Sequence, residues 1–251
     1  MTIFRPVFIL IGLFAIWQLI VSLSGAPPYI LPGPAAVMLA WVKQPDLFIS
    51  HGATTALEIL MGLFLGFVLG TASALCMAYF RPAQRWMLPV LVISQAVPVF
   101  ALAPVLVLWL GYGLASKVAM ATLIIFFPVT AAFYDGLRRT EPGWIDLAGT
   151  MNASRWAILR HIRIPAALPA LGSGLRVATA VAPIGAIVGE WVGSGAGLGY
   201  LMLHANARVQ VDVMFAALLT LALMSVALYF TVDLAVRRLV QWQPEDTPSL
   251  D

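Results

Sequence analysis

Five charged side chains stand inside or at the margins of long apolar runs: Glu58, Asp135, Arg176, Glu190 and Asp233. A charge held in hydrocarbon is costly. Where one is kept it pairs with another charge, lines a path for solute or ions, or serves a gate. Glu58 and Glu190 fall near the ends of their runs that the charge distribution below assigns to the outside. For Glu58, a pathway role and an interfacial carboxylate both stay open. Glu190 favours gating or pairing near a pathway mouth. Asp135 beside Arg138 and Asp233 beside Arg237 read as structural salt bridges, and Arg176 as a partner for an acidic group or a lipid head group.

Covalent chemistry finds no support. The chain has no G-x-x-x-x-G-K-[ST] phosphate loop. Cys76 is the only cysteine, so disulfide frameworks and zinc clusters are excluded. His51, His161 and His204 all fall outside the apolar runs. The sequence therefore predicts a protein that is not an enzyme and carries no cofactor of its own. Uncharged polar groups supply further pathway or gate candidates. Ser94, Gln95, Pro98 and Pro104 lie in one run, where proline removes a backbone donor and the freed carbonyls can line a cavity. Thr179, with Ser173 and Pro183, lies in another. Helix packing is the alternative reading for Ser94, Gln95, Pro98 and Pro104. His204 and Asn206 could meet a partner outside. Gly62, Gly66 and Gly70 form a small-residue stripe suited to close helix contact.

The elements that must position these residues are membrane spans. Of 251 residues, 61% are hydrophobic and 10% charged, against roughly 25% charged in soluble domains. A span needs about 20 apolar residues. Six candidates emerge: Val7–Leu23, Thr54–Phe80, Met87–Leu110, Ser116–Tyr134, Leu171–Trp191 and Val213–Val236. With the N-terminus inside, eleven arginines fall on or near the cytoplasmic side, and only Lys43, Lys117 and Arg208 fall outside. Basic residues are retained inside, so both termini are cytoplasmic. The expected fold is an all-α polytopic membrane protein, with one domain over 1–240 and a short cytoplasmic tail over 241–251. A net charge of +3 without a basic, aromatic-interleaved patch argues against nucleic acid. Outside, 26–48 predicts a proline-broken loop with a short interfacial helix, and 193–212 a glycine-rich turn followed by another.

Between the fourth and fifth spans lies the polar, basic segment 146-DLAGTMNASRWAILRHIRIPAALP-169. It predicts a short helix, a turn at Asn152 in left-handed conformation, a second helix capped by Ser154, and a stop at Pro165 and Pro169. Arg155, Arg160, His161 and Arg163 supply charge, and Trp156, Ile158 and Leu159 supply apolar contacts. Such a projection suits a coupling helix for a soluble partner. A solvated loop obeying the positive-inside rule would carry the same charges.

The segment resembles the EAA loop of binding-protein-dependent ABC importer permeases: E-A-A, three residues, Gly, nine residues, I-x-L-P. Asp146-Leu147-Ala148 stands for E-A-A, Asn152 for the glycine and 162-IRIP-165 for I-x-L-P, with the Ala153-Ser154-Arg155-Trp156 piece also usual there. The departures keep charge, turn tendency and size. The resemblance extends to 31-LPGP-34, 97-VPVFALAPVLVLWLGYG-113 and 189-GEWVGSGAGLGYLM-202. It implies a permease of the nitrate, sulfonate, taurine or thiamine-pyrimidine-precursor group in the bacterial inner membrane. The partners implied are a second permease copy in a homodimer, two ABC ATPase subunits that hold ATP and Mg, an extracytoplasmic solute-binding protein and membrane lipid. The residues implied to meet the ATPase are Asp146, Ala148, Asn152, Ala153, Ser154, Arg155, Trp156 and Pro165. The run 199–224 resembles permeases for thiamine-related pyrimidines, hydroxymethylpyrimidine or formylaminopyrimidine; sulfonate, taurine and nitrate are the alternatives. A secondary transporter usually has more spans and internal repeats, which this chain lacks.

Overall fold

The computed structural model describes residues 4–94 and 97–242. Every regular element among them is helical. In chain order these are α1 (Phe4–Ser24), α2 (Pro34–Lys43), α3 (Pro45–Tyr79), α4 (Arg81–Ser94), α5 (Ala103–Leu110), α6 (Leu114–Arg138), α7 (Pro142–Thr150), α8 (Arg155–Ile158), α9 (Ile164–Gly193), α10 (Leu198–Ala207) and α11 (Val211–Leu239). Helices α3, α6, α9 and α11 are each long and apolar enough to cross a membrane, and α4 with α5 forms a further broken span. Helix α1 covers the expected first span, and its 21 residues reach about 31 Å at 1.5 Å per residue.

Helix α6 is the centre, with α3 on one side and α9 on the other. Glycines set both seams. A Cβ on Gly66 would stand 2.5 Å from Ile125 Cγ2, and one on Gly70 2.9 Å from Val129 Cγ1. On the other seam a Cβ on Gly185 would stand 2.6 Å from Ala121 Cα. Backbones this close gain dispersion contact that bulkier residues would prevent, the main packing force available between helices in lipid. The expected stripe of Gly62, Gly66 and Gly70 is this seam.

Three expectations are corrected. The third span, Met87–Leu110, is not one rod. It breaks after Ser94, resumes as a 3₁₀ turn at Val99–Leu102, and its two halves are bent by 94°. Pro98 precedes that turn and Pro104 opens α5, so both prolines sit where a missing N–H is tolerated. Gln95 lies outside the described residues, as do residues 243–251 of the tail.

The second span begins at Pro45, well before Thr54, because Pro45 serves as a helix-starting residue. The third correction concerns Pro165 and Pro169, which stop nothing. Helix α8 runs through a π-helical turn at Leu159–Arg163 into α9, one continuous path from Arg155 to Gly193. Pro165 follows directly on the π-helical turn, whose altered hydrogen bonding accommodates its missing donor. Pro169 is carried inside the helix. At 39 residues the path extends about 58 Å, longer than the roughly 30 Å hydrocarbon core, so it projects into the cytoplasm.

Candidate functional site

Two polar assemblies sit at opposite ends of α9. The outer one is built around the N-terminus of α10. The first N–H groups of a helix have no intrahelical acceptor, and a membrane-embedded chain must satisfy them internally. All four are satisfied here by side chains. Gly197 N–H donates to His51 Nδ1 at 2.9 Å, and Leu198 N–H to Thr55 Oγ1 at 2.8 Å. Gly199 N–H and Tyr200 N–H both donate to Glu190 Oε2, the latter at 3.3 Å. Thr55 has one proton to give, and Glu190 Oε1 at 2.6 Å is its near acceptor. Because His51 Nδ1 accepts, the proton of its neutral ring lies on Nε2. The Glu190 carboxylate, 1% exposed, also meets the positive end of the α10 dipole. Gly197 completes the clasp. Its φ is +107°, and a Cβ there would fall on the Glu190 carboxyl group, so only glycine fits.

Glu58 lies one turn beyond Thr55, fully buried, with Lys117 Nζ of α6 at 3.6 Å. Neither of its oxygens accepts a hydrogen bond among the described residues. The interfacial reading of Glu58 is thus corrected, and Lys117 is an internal counter-charge where the sequence suggested a surface lysine. Three outer-end residues, His51, Thr55 and Lys117, escaped the sequence reading. The first two share a face with Glu58 at i, i+4 and i+7, a pattern legible once α3 is known to start at Pro45. Of the other candidates, Thr179 is buried and spends its hydroxyl on Leu175 O at 2.7 Å. Ser94 is exposed, bonded to Leu91 O at 2.8 Å, and Pro98 is exposed at the broken span. The structure does not bring these three to the clasp.

The inner assembly is the elbow of α7 and α8. Asn152 has φ +60°. Its N–H bonds Gly149 O at 3.0 Å while Ala153 N–H reaches back to Ala148 O at 3.0 Å. This is a Schellman closure with asparagine at its left-handed position. Ser154 Oγ then accepts from Ala157 N–H at 3.2 Å and starts α8. Ala148 is buried beneath the elbow, while Asp146, Ser154, Arg155 and Trp156 are exposed, with Trp144, Leu147 and Met151 beside them. Trp156 meets Tyr79 edge-on at 6.0 Å. Asn152→Gly should be neutral within about 0.5 kcal/mol, whereas Asn152→Val should cost about 1–2 kcal/mol because a β-branched residue resists φ > 0. Thermal unfolding of the two purified variants checks this.

Arg163 fastens the elbow to the bundle. Its Nε and Nη2 donate to Leu137 O at 3.0 and 2.9 Å, and Nη1 reaches Ala78 O at 3.4 Å. One side chain thus ties the π-helical turn to the inner ends of α6 and α3. Deeper, Asp233 holds Arg176 Nε at 2.6 Å and Arg237 Nε at 2.8 Å. Asp135 forms no ion pair among the described residues. The expected partner, Arg138, lies instead over the Tyr134 ring at 5.6 Å, one turn back on its own helix.

Residues 62–243 match the pattern of the binding-protein-dependent transport system inner membrane component. The chain belongs to that family. It is therefore a multi-pass membrane subunit of a transport system that depends on a binding protein. A probable ABC transporter permease protein of Haemophilus influenzae is 55% identical over 94% of this chain and 96% of its own. The formylaminopyrimidine transport permease ThiX of Halalkalibacterium halodurans is 35% identical, over 95% and 96%. The riboflavin transport system permease RibX of Chloroflexus aurantiacus is 38% identical, over 92% and 87%. The fold is that of a chain in inward-facing MetNI, a methionine ABC transporter, with a TM-score of 0.67 over 78% of this chain and 97% of that one at 20% identity.

Proposed function

We propose that two copies of this ABC importer permease form the path for a thiamine-related pyrimidine precursor, hydroxymethylpyrimidine or formylaminopyrimidine, in a bacterial inner membrane. The observation carrying the substrate is electrostatic. The cation buried among the described residues, Lys117, faces the carboxylate of Glu58. No other buried cation stands among the described residues to attract a sulfonate or nitrate, whereas an uncharged heteroaromatic solute needs no counter-charge. The near full-length likeness to ThiX supports the same reading.

ATP and Mg are held by a partner ATPase, one beneath each elbow. The exposed indole of Trp156, with Leu147 and Met151, offers that partner an apolar face, and Asp146 and Arg155 its polar rim. Because the helix runs unbroken from Arg155 to Gly193, tilt imposed at the elbow reaches Glu190 at the far end. There the clasp on α10 can hold or release the outer segment, the surface nearest a docked binding protein.

Uptake of labelled formylaminopyrimidine, riboflavin and taurine, in cells expressing the chain with its cognate ATPase and binding protein, tests this. Uptake of the pyrimidine alone, abolished by an ATPase-dead partner, is the expected result. Taurine or riboflavin uptake in its place would remove the substrate, and uptake indifferent to the dead ATPase would remove the mechanism.

A further inference from the structure

A second polar feature of the inner face is used by neither clasp nor elbow. Where the cytoplasmic ends of α6, α9 and α11 diverge beneath α7, they leave a cavity of about 920 Å³. Arg139, Arg176 and Arg237 line it, together with Trp144 and Trp242. The acidic groups are fewer: Glu141 on the wall and Asp233 behind it, which takes the Nε of both Arg176 and Arg237. Arg176 keeps its terminal nitrogens for other acceptors, and Arg139 has no ion-pair partner among the described residues. Among the described residues, basic side chains outnumber acidic ones in its lining. It lies at the level of three inner span ends, and both indoles are more than half exposed, as aromatic residues at the water–lipid boundary are. The rest of its wall mixes apolar residues, among them Ala166, Ala170 and Val236, with the polar Thr140, Ser173 and Gln241.

We infer that this cavity binds the headgroup of an anionic phospholipid of the inner leaflet. The phosphodiester meets Arg139 and Arg176, and the glycerol backbone rests against the two indoles. Basic pockets between spans on the cytoplasmic side are the usual form of such sites. A free phosphate shares the charge but has no use for the aromatic and apolar wall. Occupancy would brace α7 against α9 and α11, and so set the stiffness of the elbow.

Native mass spectrometry of the full-length permease, released from nanodiscs of mixed phosphatidylglycerol and phosphatidylcholine, gives the test. The expected result is retention of phosphatidylglycerol in preference to phosphatidylcholine. In Arg139→Gln that retention should fall about fivefold, the equivalent of about 1 kcal/mol for one arginine near the surface. Arg139 is exposed, so folding is not at stake. Arg81→Gln, an exposed inner-face arginine away from the cavity, should leave retention unchanged. Equal retention of both lipids, or equal losses in the two variants, would overturn the site. Displacement of the lipid by inorganic phosphate at matched concentration would make it an anion site and overturn the lipid assignment.

Discussion

Glu190→Ala should lower solute uptake at least tenfold while the ATPase still co-purifies with the permease. The substitution strips the acceptor from Gly199 and Tyr200 and from the Thr55 hydroxyl. Each buried polar group left unsatisfied costs about 1–3 kcal/mol, and Glu190 and Thr55 are both buried. A total near 3 kcal/mol shifts the clasped population about a hundredfold. The elbow lies at the other end of α9, so ATPase docking should survive. Glu190→Gln keeps one oxygen for the two N–H groups and gives up the charge facing the helix dipole, a loss of about 1 kcal/mol, and should retain much of the uptake. Amide hydrogen exchange over 197–200 reads the clasp directly: fast in the alanine variant, intermediate in the glutamine variant, slow in the parent. Normal uptake together with slow exchange in Glu190→Ala would show that α10 is held by something else.

What the sequence made legible follows the range of the interactions involved. The turn at Asn152 and the cap at Ser154 were legible because both are decided within five residues, by tolerance of φ > 0 and by a hydroxyl next to orphan donors. The glycine stripe on α3 was legible because one helix face carries it. The clasp was not: Thr55 and Glu190 are 135 positions apart, and α9 and α10 alone do not show that α3 supplies half of the acceptors. The prolines misled in both directions. Pro45 looked like loop and starts a span. Pro165 looked like a stop and is absorbed by the π-helical turn before it. Pro98, expected within an unbroken span, marks a break. A proline removes one donor wherever it stands, and whether the helix ends there depends on what else satisfies the freed carbonyl.

That dependence bears on Arg163, which ties the π-helical turn to the inner ends of α6 and α3 and is proposed to carry docking force into the bundle. Arg163→Ala should leave the permease inserted and bound to its ATPase, yet reduce transport per ATP hydrolysed about tenfold or more. In the parent, three guanidinium donors hold Leu137 O and Ala78 O, so movement of the elbow carries the inner ends of α6 and α3 with it. Hydrogen bonds from a charged donor contribute about 1.5–3 kcal/mol. Without them the π-helical turn can flex while the spans stand still, and ATP is then spent on bending the elbow. Arg163→Lys is the sharper variant. It keeps the charge but cannot reproduce the planar fork that reaches two carbonyls at once, so it too should leave the permease inserted and poorly coupled. ATPase activity and uptake measured together in proteoliposomes decide the matter. If Arg163→Lys transports as efficiently per ATP as the parent, charge alone suffices and the fork is not the transmission. If Arg163→Ala stays coupled, the force travels along the rod of α9 alone, and the clasp at Glu190 becomes its first point of delivery.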